Sequence, residues 1–139
     1  MSKATVIRRA LFWVTTLIVT VESAVGAYWD IAQIDYVREV FGRLGYPMYF
    51  AVLMGAWKAG AVAALLVPRF PRLKEWAYAG LVFVYSGAAV SHFAAGDPAP
   101  QVVTPLLFTA FTLTSWLLRR PASRDARPLS DFARPLTGR

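Results

Sequence analysis

Four stretches of this chain are apolar for close to the length a helix needs to cross a bilayer: Ala10 to Trp29, Met48 to Val67, Trp76 to about Ala95, and Val102 to Leu118. A soluble chain of 139 residues builds at most one small core and cannot bury all four. Composition points the same way, with hydrophobic residues at 57% and charged residues at 17% against a usual quarter. Lipid offers the backbone no hydrogen bonds, so spans in a chain this small must be helices. The expected fold is an all-α integral membrane protein, a four-transmembrane-helix bundle at residues 1–120 followed by a flexible basic cytoplasmic tail at 121–139.

Turn chemistry bounds the spans. Gly45-Tyr46-Pro47 precedes the second, Pro68-Arg69-Phe70-Pro71 ends it, Gly96-Asp97-Pro98 ends the third and Arg119-Arg120-Pro121 the fourth. At about 17 residues the fourth is at the short limit for crossing. A signal peptide competes for the first span, since a basic start leads to small residues around Ala24 to Ala27. The apolar run continues to Trp29, which favours a retained helix. Between the first two spans, Ile34, Val37, Phe41 and Leu44 recur at helical spacing while Asp35, Arg38, Glu39 and Arg43 face elsewhere. That pattern predicts a short interfacial helix between helices 1 and 2.

The formal charge of +7 sits at the ends of apolar runs. A nucleic-acid surface would instead interleave it with exposed aromatics, so the partner it implies is the lipid bilayer and not nucleic acid. Lys3, Arg8, Arg9, Arg69, Arg72, Lys74, Arg119, Arg120 and the tail arginines fall on one side, and only Arg38 and Arg43 on the other. By the positive-inside rule, both termini of a multi-pass protein of the cell membrane are cytoplasmic. Cysteine is absent, which excludes disulfides, thiolate nucleophiles and a thiol relay within the chain.

Glu22 is the one ionisable residue within the first span as bounded here, and Lys58 lies near the middle of the second. A lone charge in hydrocarbon costs about 2.5–3.5 kcal/mol on insertion scales, so neither should face lipid. Counting about 1.5 Å per residue puts both in the outer half of the bundle, at depths where they can pair. In the third span Tyr78, Tyr85 and His92 recur every seven residues on one face, with His92 nearest the outer end. A tyrosine hydroxyl or the imidazole there can join the centre. The ligand-binding candidates are therefore Glu22, Lys58, His92 and Tyr85, with structural roles as the alternative. No phosphate loop, metal-ligand spacing or catalytic triad is present, and a single histidine holds a haem from one side only. Small residues form stripes, Ala51, Gly55, Ala59 and Ala63 in the second span and Gly80, Val84, Gly87 and Ser91 in the third. These faces are expected to touch.

Taken in order, Leu44-Gly45-Tyr46-Pro47, Gly55 with Lys58 and Gly60, Leu65-Leu66-Val67-Pro68, Pro71-Arg72-Leu73-Lys74-Glu75-Trp76-Ala77-Tyr78-Ala79-Gly80, Gly87-Ala88, Ser91-His92 and Gly96-Asp97 resemble the DoxX-like family of small four-helix membrane proteins. The resemblance spans roughly Glu22 to Leu118. It implies a four-helix bundle of one domain, with the positions matching Glu22, Lys58 and His92 as its polar centre. The broader group is similar to the small subunit of a thiosulfate:quinone oxidoreductase, to membrane partners of redox enzymes and to assembly factors. Without cysteine, this chain departs from a thiol-based role.

Three functions compete. One is an accessory membrane subunit that binds a small quinone-like or lipid-like molecule and supports a redox partner. Another is a scaffold or assembly factor for a second membrane protein, with no chemistry of its own. Proton-coupled transport is the third, and it would require a homo-oligomer, since four short helices leave little room for a path. The residues name no reaction.

Overall fold

The computed structural model describes residues 1–119, and these residues form five helices. They are α1 (Lys3–Ala32), α2 (Asp35–Leu44), α3 (Met48–Leu66), α4 (Pro71–Ala94) and α5 (Ala99–Leu118). All but α2 are long and apolar enough to cross a membrane. The tail expected at 121–139 lies outside the described residues.

The long helices run up, down, up and down. Helix α1 packs on α3 and α5, and α4 packs on the same two, so α1 and α4 lie diagonally across a four-membered ring. Val19 of α1 and Leu81 and Tyr85 of α4 meet in its centre, supported by Ala61, Leu65, Phe108 and Phe111. Large apolar side chains elsewhere point outward, among them Trp76 at 79%, Phe83 at 74% and Phe93 at 76% exposure. Water would oppose such a surface and lipid accepts it.

The ends of the spans shift from their expected places. Helix α4 begins at Pro71, where a proline at the first turn loses no hydrogen bond, and α5 begins at Ala99 with Pro100 in the same role. Starting there, α5 has 20 residues, about 30 Å, which suffices to cross. Helix α1 continues through Asp30 to Ala32 and, at 30 residues, is about 45 Å long, so it outreaches the hydrocarbon. Helix α2 is the expected interfacial helix: Val37 is buried, whereas Asp35, Arg38, Glu39 and Arg43 are exposed. Gly45 ends it with φ 79°, and the Tyr46 amide donates back to the Phe41 carbonyl at 2.9 Å.

The small-residue stripes do not meet each other. Ala51 and Gly55 are buried, Gly55 against α1, while Ala59 and Ala63 are exposed. A Cβ on Gly55 would lie 2.7 Å from Ile31 Cγ1 and 2.9 Å from the Ala27 carbonyl oxygen. A Cβ on Gly80 or Gly87 would meet nothing within 4 Å among the described residues. The reason is helical phase. Each step of four residues overshoots a turn by about 40°, so a row of four drifts about 120° and cannot keep one neighbour. Helix α3 therefore spends the near end of its row on α1, and Gly60 and Gly80 border a shallow apolar cleft toward α4.

Hydroxyls add polar links between helices. Ser115 of α5 contacts Thr16 of α1 at 2.6 Å and the Tyr78 hydroxyl of α4 at 2.9 Å, joining three helices away from the α2 end.

Candidate functional site

Glu22, Gly26 and Asp30 are four residues apart on α1 and share one stripe, directed at the interior of the α2 end. Lys58 of α3 crosses this stripe. Its Nζ donates to Asp30 Oδ2 at 3.0 Å, with the Lys58 side chain 14% and that of Asp30 9% exposed. Gly26 supplies the room: a Cβ there would lie 3.0 Å from Lys58 Nζ and 3.5 Å from Glu22 Oε1. The ammonium thus lies over Gly26, with Asp30 as its ion-pair partner and Glu22 to the other side.

Glu22 has a different partner. The Tyr85 hydroxyl of α4 donates to Glu22 Oε2. A phenol has one proton, so the 2.7 Å contact between Tyr85 and Ser23 must run from the serine hydroxyl to the tyrosine oxygen. This Ser23, Tyr85, Glu22 chain ties α1 to α4 across the bundle and aims the carboxylate.

His92 stands one more turn-pair along α4. The turn after α4 places Gly96 at φ 73°, lets the Asp97 amide donate to the His92 carbonyl at 3.0 Å, and turns the Asp97 carboxylate back onto His92 Nδ1 at 2.6 Å. Arg43 of α2 caps the same carboxylate, Nε to Oδ1 at 3.1 Å. With Nδ1 engaged, Nε2 is the ring nitrogen left for another partner. Tyr46 and Ser91 form a further link at 2.8 Å, so α2 and its C-terminal turn are tied to the end of α4 at two points.

Glu22, Asp30, Lys58, Tyr85 and His92 border one cleft of about 1210 Å³ at the α2 end. These five side chains supply its polar part, with Gly26 between Glu22 and Asp30. Leu17, Val21 and Val25 of α1 and Thr104, Pro105 and Phe108 of α5 form its apolar walls, and Tyr36, Val37 and Phe41 of α2 border it as well. Pro105 has no amide hydrogen, so the Gln101 carbonyl, on a residue that also borders the cleft, lacks its helical donor. Helices α1 and α5 touch at Thr16 and Ser115, and nearer α2 both contribute walls to the cleft.

The structure brings Glu22, Lys58, Tyr85 and His92 to one cleft, as the sequence reading expected. It corrects the pairing. Glu22 and Lys58 converge on Gly26 without a salt bridge between them, and the counter-ion of Lys58 is Asp30. Ending the first span at Trp29 put Asp30 outside the membrane, whereas α1 carries it inward on the face of Glu22. Its signal was present as an acid-x-x-x-Gly-x-x-x-acid spacing. Asp97 carries only a turn signal in the sequence, within Gly96-Asp97-Pro98. Tyr78 does not join the centre, since it bonds to Ser115 near the opposite end.

A model of the DoxX-like family matches residues 14–115. The match runs through all four spans and α2. No curated protein and no solved structure matches the chain.

Proposed function

The chain belongs to the DoxX-like family, and from that premise we propose that it is an accessory membrane subunit binding a small quinone-like or lipid-like molecule and supporting a redox partner. One observation carries the reading: Glu22, Asp30, Lys58, Tyr85 and His92 line one cleft whose other walls, from α1 and α5, are largely apolar. A molecule with a polar head and an apolar body fits that division. Lys58 is matched by Asp30, which leaves Glu22, among the described residues, held by a neutral hydroxyl and by no cation of its own. Glu22 is the group with capacity to accept a proton or hydrogen bond from a bound head, and His92 Nε2 is the second.

A short-chain benzoquinone with a decyl tail is the probe, and quenching of Trp29 on the cleft wall is the readout. Glu22→Gln should keep the fold and weaken binding on the order of tenfold to a hundredfold, the worth of one hydrogen bond to a charged group. Equal binding to both proteins, or none to the wild type, would refute the ligand reading. The Lys58–Asp30 bridge between α1 and α3 favours the second reading, a scaffold or assembly factor in which polar groups fix helix register. On that reading Glu22→Gln leaves function intact.

We propose also that the basic end of the bundle is cytoplasmic, in the cell membrane, on the strength of the Lys and Arg asymmetry. Single cysteines at Ser2 and Arg72 should then label only from the cytoplasmic face, and those at the exposed Gly42 and Ala99 only from outside. Labelling of Arg72 and Gly42 positions from one side would overturn this arrangement.

A further inference from the structure

A second cleft lies at the opposite end of the bundle from Glu22 and Lys58, and we propose that it is a binding site for the headgroup of an anionic phospholipid. Its volume is about 840 Å³. Among the described residues four cationic side chains from three parts of the chain border it, Arg8 and Arg9 from α1, Lys74 from α4 and Arg119 from the end of α5. Between them the walls are apolar, with Phe12, Trp13, Leu65 and Leu118.

The placement of each cation matters. Lys74 donates to the Leu65 carbonyl, one of the acceptors left free where α3 ends, so its stem lies across the cleft instead of extending into solvent. Arg119 is pinned by Glu75, which also accepts from the Trp116 indole at 2.6 Å, and stacks toward the Tyr78 ring at 5.9 Å. Glu75 is thus the neighbouring acid, and it is committed to Arg119. Arg8 and Arg9 have no acidic partner among the described residues and are exposed. The site holds more positive charge than its own acid can match.

Depth selects the occupant. Helix α1 outreaches the hydrocarbon, and its first turns bring Arg8 and Arg9 one turn beyond Trp13, a residue type that settles at headgroup level. Charged groups at that level with apolar walls directly below match a phosphate whose acyl chains run down the bundle. A soluble phosphate would use the cations and leave the apolar walls idle. A zwitterionic headgroup brings its own ammonium, which these cations would repel. The chemistry therefore favours a lipid with net negative charge, and the site is independent of the cleft at the α2 end.

The test uses the full chain in mild detergent, with binding of phosphatidylglycerol, phosphatidylcholine and inorganic phosphate followed by native mass spectrometry. Phosphatidylglycerol should bind at least tenfold more tightly than phosphatidylcholine, and inorganic phosphate should not displace it. Arg8→Gln with Arg9→Gln should weaken phosphatidylglycerol about thirtyfold, since each basic residue near an anionic surface is worth about a factor of five. Lys3→Gln with Arg72→Gln removes the same charge from exposed positions outside the cleft and should change binding less than threefold. Equal losses in the two double variants would reduce the effect to diffuse attraction and overturn the site. Displacement by phosphate would overturn the lipid assignment.

Discussion

Gly55→Leu is expected to destabilise the bundle by about 3 kcal/mol or more, the upper end of the overpacking range, while Gly87→Leu is expected to leave it unchanged or slightly more stable. The two glycines look alike in sequence and differ in what lies beyond them. At Gly55 even a methyl group would sit 2.9 Å from the Ala27 carbonyl oxygen, which belongs to a helix backbone and cannot rotate away. Relief requires α1 and α3 to separate, and that in turn draws Lys58 from Asp30. At Gly87 the surrounding space is open, and leucine improves helix propensity by nearly 1 kcal/mol over glycine while adding an apolar group to a lipid-facing surface. Unfolding titrations in mixed detergent micelles measure both. Similar losses in the two variants would contradict the packing of α3 on α1.

What the sequence made legible follows from which physical constraint acted. Span count, the interfacial helix and the convergence of Glu22, Lys58, Tyr85 and His92 were readable because hydropathy, periodicity and the cost of charge in lipid act on single segments. Which face meets which helix was not. The Ala51 to Ala63 row names a close contact but not its partner, since any of three neighbours satisfies small residues equally. The ion-pair partner of Lys58 was hidden by a boundary of a few residues. Asp30 follows Trp29 directly, and an aromatic at a span end reads as an interfacial anchor. Only the length of α1 shows that the acid turns inward. Asp97 was concealed differently: its role depends on the backbone turn at Gly96, which sets its carboxylate between His92 and Arg43.

The polar centre carries the second large effect, and it should be asymmetric. Lys58→Met is expected to cost about 3–5 kcal/mol, the usual loss when one partner of a buried pair is removed and its counter-charge remains. Asp30 has Lys58 as its one cationic partner among the described residues, so its carboxylate would be left in the bundle uncompensated. Asp30→Asn should cost less. Lys58 would keep a carboxylate within reach, because its ammonium and Glu22 Oε1 already flank the same point over Gly26. A modest swing of a flexible side chain replaces one counter-ion by the other. Combining Asp30→Asn with Lys58→Met removes both charges and should recover most of the loss, since a neutral pair of similar volume is often no less stable than the buried ion pair. The double variant also separates stability from binding. It retains Glu22 with its Tyr85 and Ser23 support, so a head group held by Glu22 should still bind, whereas a head group held by Lys58 should not. Unfolding titrations of the three variants, with decyl-quinone binding to the double variant, decide the matter. Equal costs for the single variants would show that Glu22 cannot serve as the substitute, and the shared position of the two side chains over Gly26 would lose its functional meaning.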